Sequence, residues 1–202
     1  MIFHEAKTVF LHPGKTGGTS VEHILVSNFL NKNFTDLEAS EENLDIMYGY
    51  SKQYKIFLHH ADLAFYNMLK IDITNYRKYL TIRRPYERIV SAYFYNSKDK
   101  KFDFETFILK DLEKCYRNND PYTKNHFGPQ TKFYNNDFNV IKLENFKNDC
   151  FSYGIHVTDR KHCQTKASKI LKNHMDIYTE KTKDIVYSIF KEDFKTFSYN
   201  KV

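Results

Sequence analysis

The sequence predicts an α/β fold: three layers, with a central parallel sheet flanked by helices. Three observations predict it. Short apolar runs ending at Pro, Gly or Arg-Pro breaks alternate with segments of helical period. The first of these runs passes through a glycine-rich turn directly into a helix. The 202 residues, 41% hydrophobic and 17% aromatic, suffice for one domain with a real core, expected over residues 1–202, and are too apolar for disorder.

Each element has its own reason. Residues 8–11 (TVFL) form a short apolar run stopped by Pro13 and Gly14, a buried strand. Val21, Ile24, Leu25 and Phe29 then recur at helical spacing over 19–30. Residues 55–59 (KIFLH) read as a second strand of the sheet. Asp62 is placed to cap a helix with Leu63, Tyr66 and Leu69 on one side. Residues 79–82 form a third strand, halted by Arg83-Arg84-Pro85, and a helix follows over 87–95 with Pro85 near its start. Phe104, Phe107, Ile108 and Leu112 share one face of a helix over 102–112. Residues 118–136 hold few apolar side chains and two prolines, which predicts a long surface loop able to contact substrate. Residues 140–143 form a fourth strand leading into a helix near Glu144. Thr179 caps the last helix, which carries Ile185, Val186, Ile189 and Phe190.

A net charge of +6 suits an anionic ligand, and no run of five or six like charges forms a basic tail for nucleic acid. Cys115, Cys150 and Cys163 are widely spaced without a C-x-x-C, which argues against a disulfide framework and for a reducing compartment. No signal peptide or membrane-spanning run is visible, so the expected location is the cytoplasm.

The chemistry concentrates in two stretches. HPGKTGGTS, residues 12–20, follows a strand and opens a helix. Glycines let backbone N–H groups approach a phosphate, and a helix N-terminus and Lys15 add positive charge. The ATP-type loop G-x-x-x-x-G-K-[ST] would need its first glycine at Val9, inside the strand, so this is a different phosphate loop. LTIRRPYERIVSAYFY, residues 80–95, puts Arg83 at a strand end and Ser91 about two helical turns later. Both can face one pocket at the carboxyl edge of the sheet, as an anion clamp. Arg84 and Arg88 also read as surface ion-pair partners.

These stretches resemble the sulfotransferases that use 3′-phosphoadenosine 5′-phosphosulfate (PAPS), above all the carbohydrate branch of heparan and chondroitin type. Its signatures are H-I-P-K-T-G-G-T-S and R-D-P-Y-E-R-x-x-S-x-Y. FGPQTKFY at 127–134, VIKLENF at 140–146 and EDFKTFSY at 192–199 extend the likeness over nearly the whole chain. Gly14, Arg84 and Ser198 depart from the pattern, replacing a proline, an aspartate and a glycine. The resemblance implies a P-loop-like fold, and PAPS as co-substrate without a metal. It implies that Lys15, Thr16, Gly17, Gly18, Thr19 and Ser20 grip the 5′-phosphosulfate. Arg83 and Ser91 would hold the 3′-phosphate, the group that separates this donor from ATP. Thr165, Lys166 and Lys169 fall by rough position in the adenine-binding loop. Animal members of this branch sit in the Golgi behind a membrane anchor, so the Golgi lumen is expected only for a trimmed form.

Sulfuryl transfer is an in-line displacement, and Lys15 can meet the charge growing on the leaving phosphate. A sugar hydroxyl benefits from a general base, and an imidazole is well suited. His60 is favoured as that base, with His59 next, since adjacent strand residues point to opposite faces. His12 would orient the loop, and Glu22 is a further candidate. Gln130 and Lys132 are candidate acceptor contacts, Gln for a hydroxyl and Lys for an acidic group. His156, His162, Cys163 and His174 match no zinc spacing. The expected partner is a hydroxyl-bearing acceptor, a saccharide or glycoconjugate, not nucleic acid. The competing readings are a P-loop ATP-dependent kinase and a non-catalytic basic nucleotide- or nucleic-acid-binding module.

Overall fold

The computed structural model describes residues 1–30, 50–51, 56–58, 60–96, 103–117, 126–157 and 173–202. Among these, the strands are β1 (Ile2–Phe3), β2 (Thr8–Leu11), β3 (Tyr50–Ser51), β4 (Ile56–Phe57), β5 (Arg77–Ile82) and β6 (Phe138–Lys142). The helices are α1 (Gly18–Leu30), α2 (Leu63–Met68), α3 (Pro85–Asn96), α4 (Phe104–Lys110), α5 (Leu112–Arg117), α6 (Phe146–Ser152), α7 (Glu180–Ile189) and α8 (Lys191–Thr196). Short 3-10 turns cover Gln130–Phe133, Leu143–Asn145 and His174–Ile177.

The central sheet has the order β1-β2-β5-β6. β2 pairs with β5 and β5 with β6 in parallel, while β1 is an antiparallel edge. Leu11 is level with Leu80, and Ile82 with Lys142. The residues that follow each strand, His12, Arg83 and Leu143, therefore emerge at one carboxyl edge. This is where open α/β sheets bind ligands.

Alternation along the strands builds two cores. Phe10, Tyr79 and Ile141 face Val21, Ile24 and Leu25 of α1 and Phe146 and Cys150 of α6. Val9, Leu11, Leu80 and Ile82 face the other way, against Leu58, Phe65, Tyr66, Phe133 and Phe197. A third cluster joins Tyr86, Ile89, Val90 and Phe94 of α3 to Phe104, Ile108, Val186 and Phe194. Truncating a ring such as Phe10 to alanine costs about 3–5 kcal/mol.

Local signals set several ends. Asp62, Asp103 and Thr179 cap α2, α4 and α7 with their side chains. Pro85 is the first residue of α3, where its missing N–H costs nothing. Gly154 ends α6 with φ +69, and Ile155 N–H donates to Cys150 O (2.9 Å), a Schellman closure.

Three expectations change. The strand expected over 55–59 is not in the central sheet: Ile56–Phe57 pairs antiparallel with Tyr50–Ser51 in a separate ribbon. The expected surface loop is, from residue 126 on, largely packed inside. Both Gln130 and Phe133 of the Gln130–Phe133 turn are fully buried, with Phe133 filling the core. The helix expected over 102–112 is two helices, α4 and α5, broken at Asp111.

Candidate functional site

The glycine loop leaves β2 at Leu11 and enters α1 at Gly18. Lys15 (φ +70) and Gly17 (φ +80) are both left-handed, which curls the backbone into a concave, anion-accepting nest. A Cβ on Gly17 would lie 2.7 Å from Leu143 Cδ1. A Cβ on Gly18 would land on the His12 imidazole, 2.7 Å from Cγ and closer still to Cδ2 and Nε2. Only glycine lets α1 start this close to β2. Ser20 N–H and Val21 N–H both donate to Gly17 O, at 3.0 and 3.2 Å. No acidic residue sits in the first turn of α1, so its positive end is available to an anion.

Thr16 points inward. Its hydroxyl donates to Pro13 O (2.8 Å) and accepts from Thr81 Oγ1 (3.0 Å), stitching the loop to β5. Its side chain braces the loop. The Lys15 ammonium lies 3.8 Å from the centroid of the Tyr95 ring on α3. The side chain of Thr19 lies outside the described residues.

Arg83 follows β5 and is only 7% exposed. Its main chain is gripped at both ends by Gln130: Arg83 N–H donates to Oε1 and Gln130 Nε2 donates to Arg83 O, each at 2.9 Å. Its guanidinium lies 3.6 Å from Glu87. Burial lowers the Arg83 pKa, and Glu87 and Glu144 oppose that. Glu144 also accepts from Arg84 N–H (2.6 Å) and Tyr199 Oη (2.9 Å), tying the strand ends to the C-terminal segment. Arg83 Nε and Ser91 Oγ are both buried without a hydrogen-bond partner among the described residues. Buried polar groups are rarely left so. Glu87, Ser91 and Tyr95 follow one another at four-residue steps along one side of α3, and Arg83 lies two residues before its start. Ser91 is thus a single turn from the ring that carries Lys15.

Arg88 corrects the sequence reading of a surface ion-pair partner. It is 1% exposed, and donates from Nε to Gly14 O (3.0 Å) and from Nη1 to Gly128 O (2.6 Å). Burial pulls its pKa down to about 10, against the field of Asp193. Asp193, itself buried, accepts from the N–H groups of Gln130 (2.9 Å) and Thr131 (3.0 Å). Arg84 does fit the surface description, paired with Glu87 at 2.8 Å. Gln130 is corrected as well. It is 0% exposed with its amide committed to the Arg83 main chain, so it braces the end of β5 and does not face the surface where an acceptor would bind. Lys132 is exposed.

Three imidazoles gather at the mouth of the loop. His60 Nδ1 donates to the His12 carbonyl at 3.0 Å, which leaves the lone pair on Nε2. The His60 ring meets His12 edge-on with centroids 4.6 Å apart, and His126 at 5.9 Å. His126 in turn meets Tyr95 at 4.9 Å. Lys15, Tyr95, His126, His60 and His12 thus form one continuous contact chain. His12 Nδ1 lies 3.8 Å from Glu22 Oε1. Burial pushes the Glu22 carboxyl up to about 7, partly opposed by the Met1 ammonium.

His59, Thr165, Lys166, Lys169, His162 and Cys163 lie outside the described residues. Among the described residues no three His, Cys, Asp or Glu side chains gather to hold a metal. No described helix is long and apolar enough to cross a membrane. A cavity of about 430 Å³ lined by Tyr66, Asn67, Lys78 and Asp137 opens at the amino ends of β5 and β6, and holds none of the motif residues. Sequence reasoning missed Tyr95, His126, the buried role of Arg88 and the ties that the exposed Glu144 makes to Arg84 and Tyr199. His126 stands beside the FGPQ segment, and Arg88 lies inside the quoted R-x-P-Y-E-R run. No curated protein and no solved structure matches the chain significantly. A family model described as "Sulfotransferase family" matches residues 1–200, and the chain belongs to that family.

Proposed function

We propose that this sulfotransferase takes PAPS as its donor and moves the sulfuryl group to a hydroxyl of a saccharide or glycoconjugate, with residues 1–202 acting as one catalytic domain. The observation that carries the reading is the pair of buried donors that make no hydrogen bond among the described residues, Arg83 Nε, with only Glu87 Oε2 3.6 Å away, and Ser91 Oγ, at the same sheet edge as the glycine loop. A desolvated cation only partly offset by Glu87 and a hydroxyl without a partner are stabilised by a bound anion. The loop offers a second, separate anion cradle. A nucleotide with phosphates at both ends of its ribose fits two cradles, and ATP leaves one of them unused.

In this reading Lys15 and the backbone of residues 15–20 hold the 5′-phosphosulfate, and Arg83 with Ser91 holds the 3′-phosphate. Lys166 and Lys169 remain proposed for the adenine end, and Lys132 for an acidic group on the acceptor. The acceptor oxygen forms its bond to sulfur as the bond from sulfur to the 5′-phosphate oxygen breaks, and the electron pair leaves with that phosphate. Lys15 stabilises the charge that grows there. His60 Nε2 takes the hydroxyl proton, with Nδ1 anchored on the His12 carbonyl to fix the tautomer. His59 is the second choice.

The test is thermal stabilisation followed by transfer. Adenosine 3′,5′-bisphosphate at 100 times its Kd should stabilise the protein by about 2.7 kcal/mol. A response to ATP-Mg alone would favour a kinase, and one to oligonucleotides alone a binding module. A screen with labelled sulfate donor over glycans, peptides and small alcohols then identifies the acceptor.

A further inference from the structure

A third buried polar atom lies beside the clamp. His174 Nε2 is buried and makes no hydrogen bond among the described residues, like Arg83 Nε and Ser91 Oγ. His174 opens the 3-10 turn His174–Ile177, which docks on α3. Tyr178 Oη donates to Tyr86 O at 2.8 Å, and the two rings meet edge-on with centroids 5.5 Å apart. On the other side, Asn173 Oδ1 accepts from Met175 N–H at 3.0 Å. The turn is therefore tied to the first part of α3 at Tyr178 and capped locally at Asn173, and the imidazole lies within the fields of Arg83 and Glu87.

We infer that His174 is the third side chain of the anion clamp, donating from Nε2 to the same phosphate that Arg83 and Ser91 hold. This rests on the PAPS reading above. A buried donor left unmet is costly, and a phosphate oxygen meets it with a charge-assisted bond. Burial, and next the nearby Arg83 cation, lower the His174 pKa, while Glu87 opposes them. The ring therefore stays neutral near pH 7. It can donate a proton in a hydrogen bond without adding a repelling charge to Arg83. The residue comes from a segment about ninety positions beyond Arg83, and neither phosphate motif contains it.

The experiment is calorimetric titration of the full chain with adenosine 3′,5′-bisphosphate and adenosine 5′-phosphate, in wild type, His174→Ala and His174→Gln. His174→Ala should weaken the bisphosphate by roughly 10-fold or more and leave the monophosphate unchanged. His174→Gln, whose amide nitrogen reaches close to the position of Nε2, should recover much of the loss. A merely structural histidine would weaken both nucleotides together and would not be rescued by glutamine. In wild type labelled with nitrogen-15, the Nε2 resonance of His174 should move on adding the bisphosphate and stay still with the monophosphate, a readout that survives if His174→Ala does not fold. Wild-type discrimination that His174→Ala leaves intact, or a still Nε2 resonance, overturns the role of His174 alone. A wild type that binds both nucleotides equally overturns the PAPS reading and this inference with it.

Discussion

Gly18→Ala is the sharpest mutational probe of the loop. The new Cβ would overlap His12 Cδ2 and Nε2, and ordinary contact begins near 3.4 Å, so the ring must withdraw by roughly an ångström. It has nowhere to go. His12 is buried, stacked on Phe10 with centroids 5.2 Å apart, and edge-on to His60 at 4.6 Å. Overpacking of this kind costs about 1–3 kcal/mol, which in a chain of this size lowers Tm by roughly 2–12 °C. The larger effect should be on turnover. His60 hangs from the His12 carbonyl, and a displacement of about an ångström at a reacting group can cost on the order of 100-fold. Gly154→Ala is the control. Nothing lies within 4 Å of its Cβ, but φ is +69, so it should lose about 1 kcal/mol to left-handed strain and keep full activity. Urea denaturation and initial rates on the two variants decide the matter. Wild-type stability and turnover in Gly18→Ala would refute the account of how the loop is packed.

Further outcomes follow from the same geometry. His60→Ala should lose on the order of 10²–10⁴-fold in turnover while binding adenosine 3′,5′-bisphosphate normally by calorimetry; near-normal rates would move the base elsewhere. Arg88→Met should destabilise by about 3–5 kcal/mol in urea, because Gly14 O, Gly128 O and the carboxylate of Asp193 lose a buried cation; a neutral effect would mean that water replaces the guanidinium. The Glu22 carboxyl is raised from 4.5 to about 7. Between these values the folded state holds a proton that the unfolded chain has lost, so this group's contribution falls as pH rises, by on the order of 3 kcal/mol above pH 7. Stability profiles should show Glu22→Gln losing that decline, and parallel profiles for variant and wild type would contradict it.

The parts legible in the sequence were those set by neighbours along the chain. β2, the glycine turn and α1 follow from one apolar run, two adjacent glycines and a 3.6-residue stripe. Asp62 and Thr179 each mark a helix start through a bond within one turn, and Pro85 marks one through its fixed φ and missing N–H. The parts that were not legible depend on distant partners. Ile56–Phe57 is apolar enough for the central sheet, and only its pairing with Tyr50–Ser51 shows that it lies elsewhere. Gln130 looks like any polar loop residue until Arg83 closes on its amide from 47 positions away. Arg88 reads as one surface charge among several because its acceptors, Gly14 O and Gly128 O, are main-chain atoms of two other segments. His126 joins the site through ring contacts to Tyr95 and His60, which no local spacing encodes.

A crystal of the protein with adenosine 3′,5′-bisphosphate bound tests the central claim most directly. The account predicts the 5′-phosphate in the nest of residues 15–20, with Lys15 drawn off the Tyr95 ring toward it, and the 3′-phosphate within hydrogen-bond reach of Arg83 Nε and Ser91 Oγ. A nucleotide seated in the cavity beside Lys78, or one whose 3′-phosphate points to solvent away from Arg83, would contradict it.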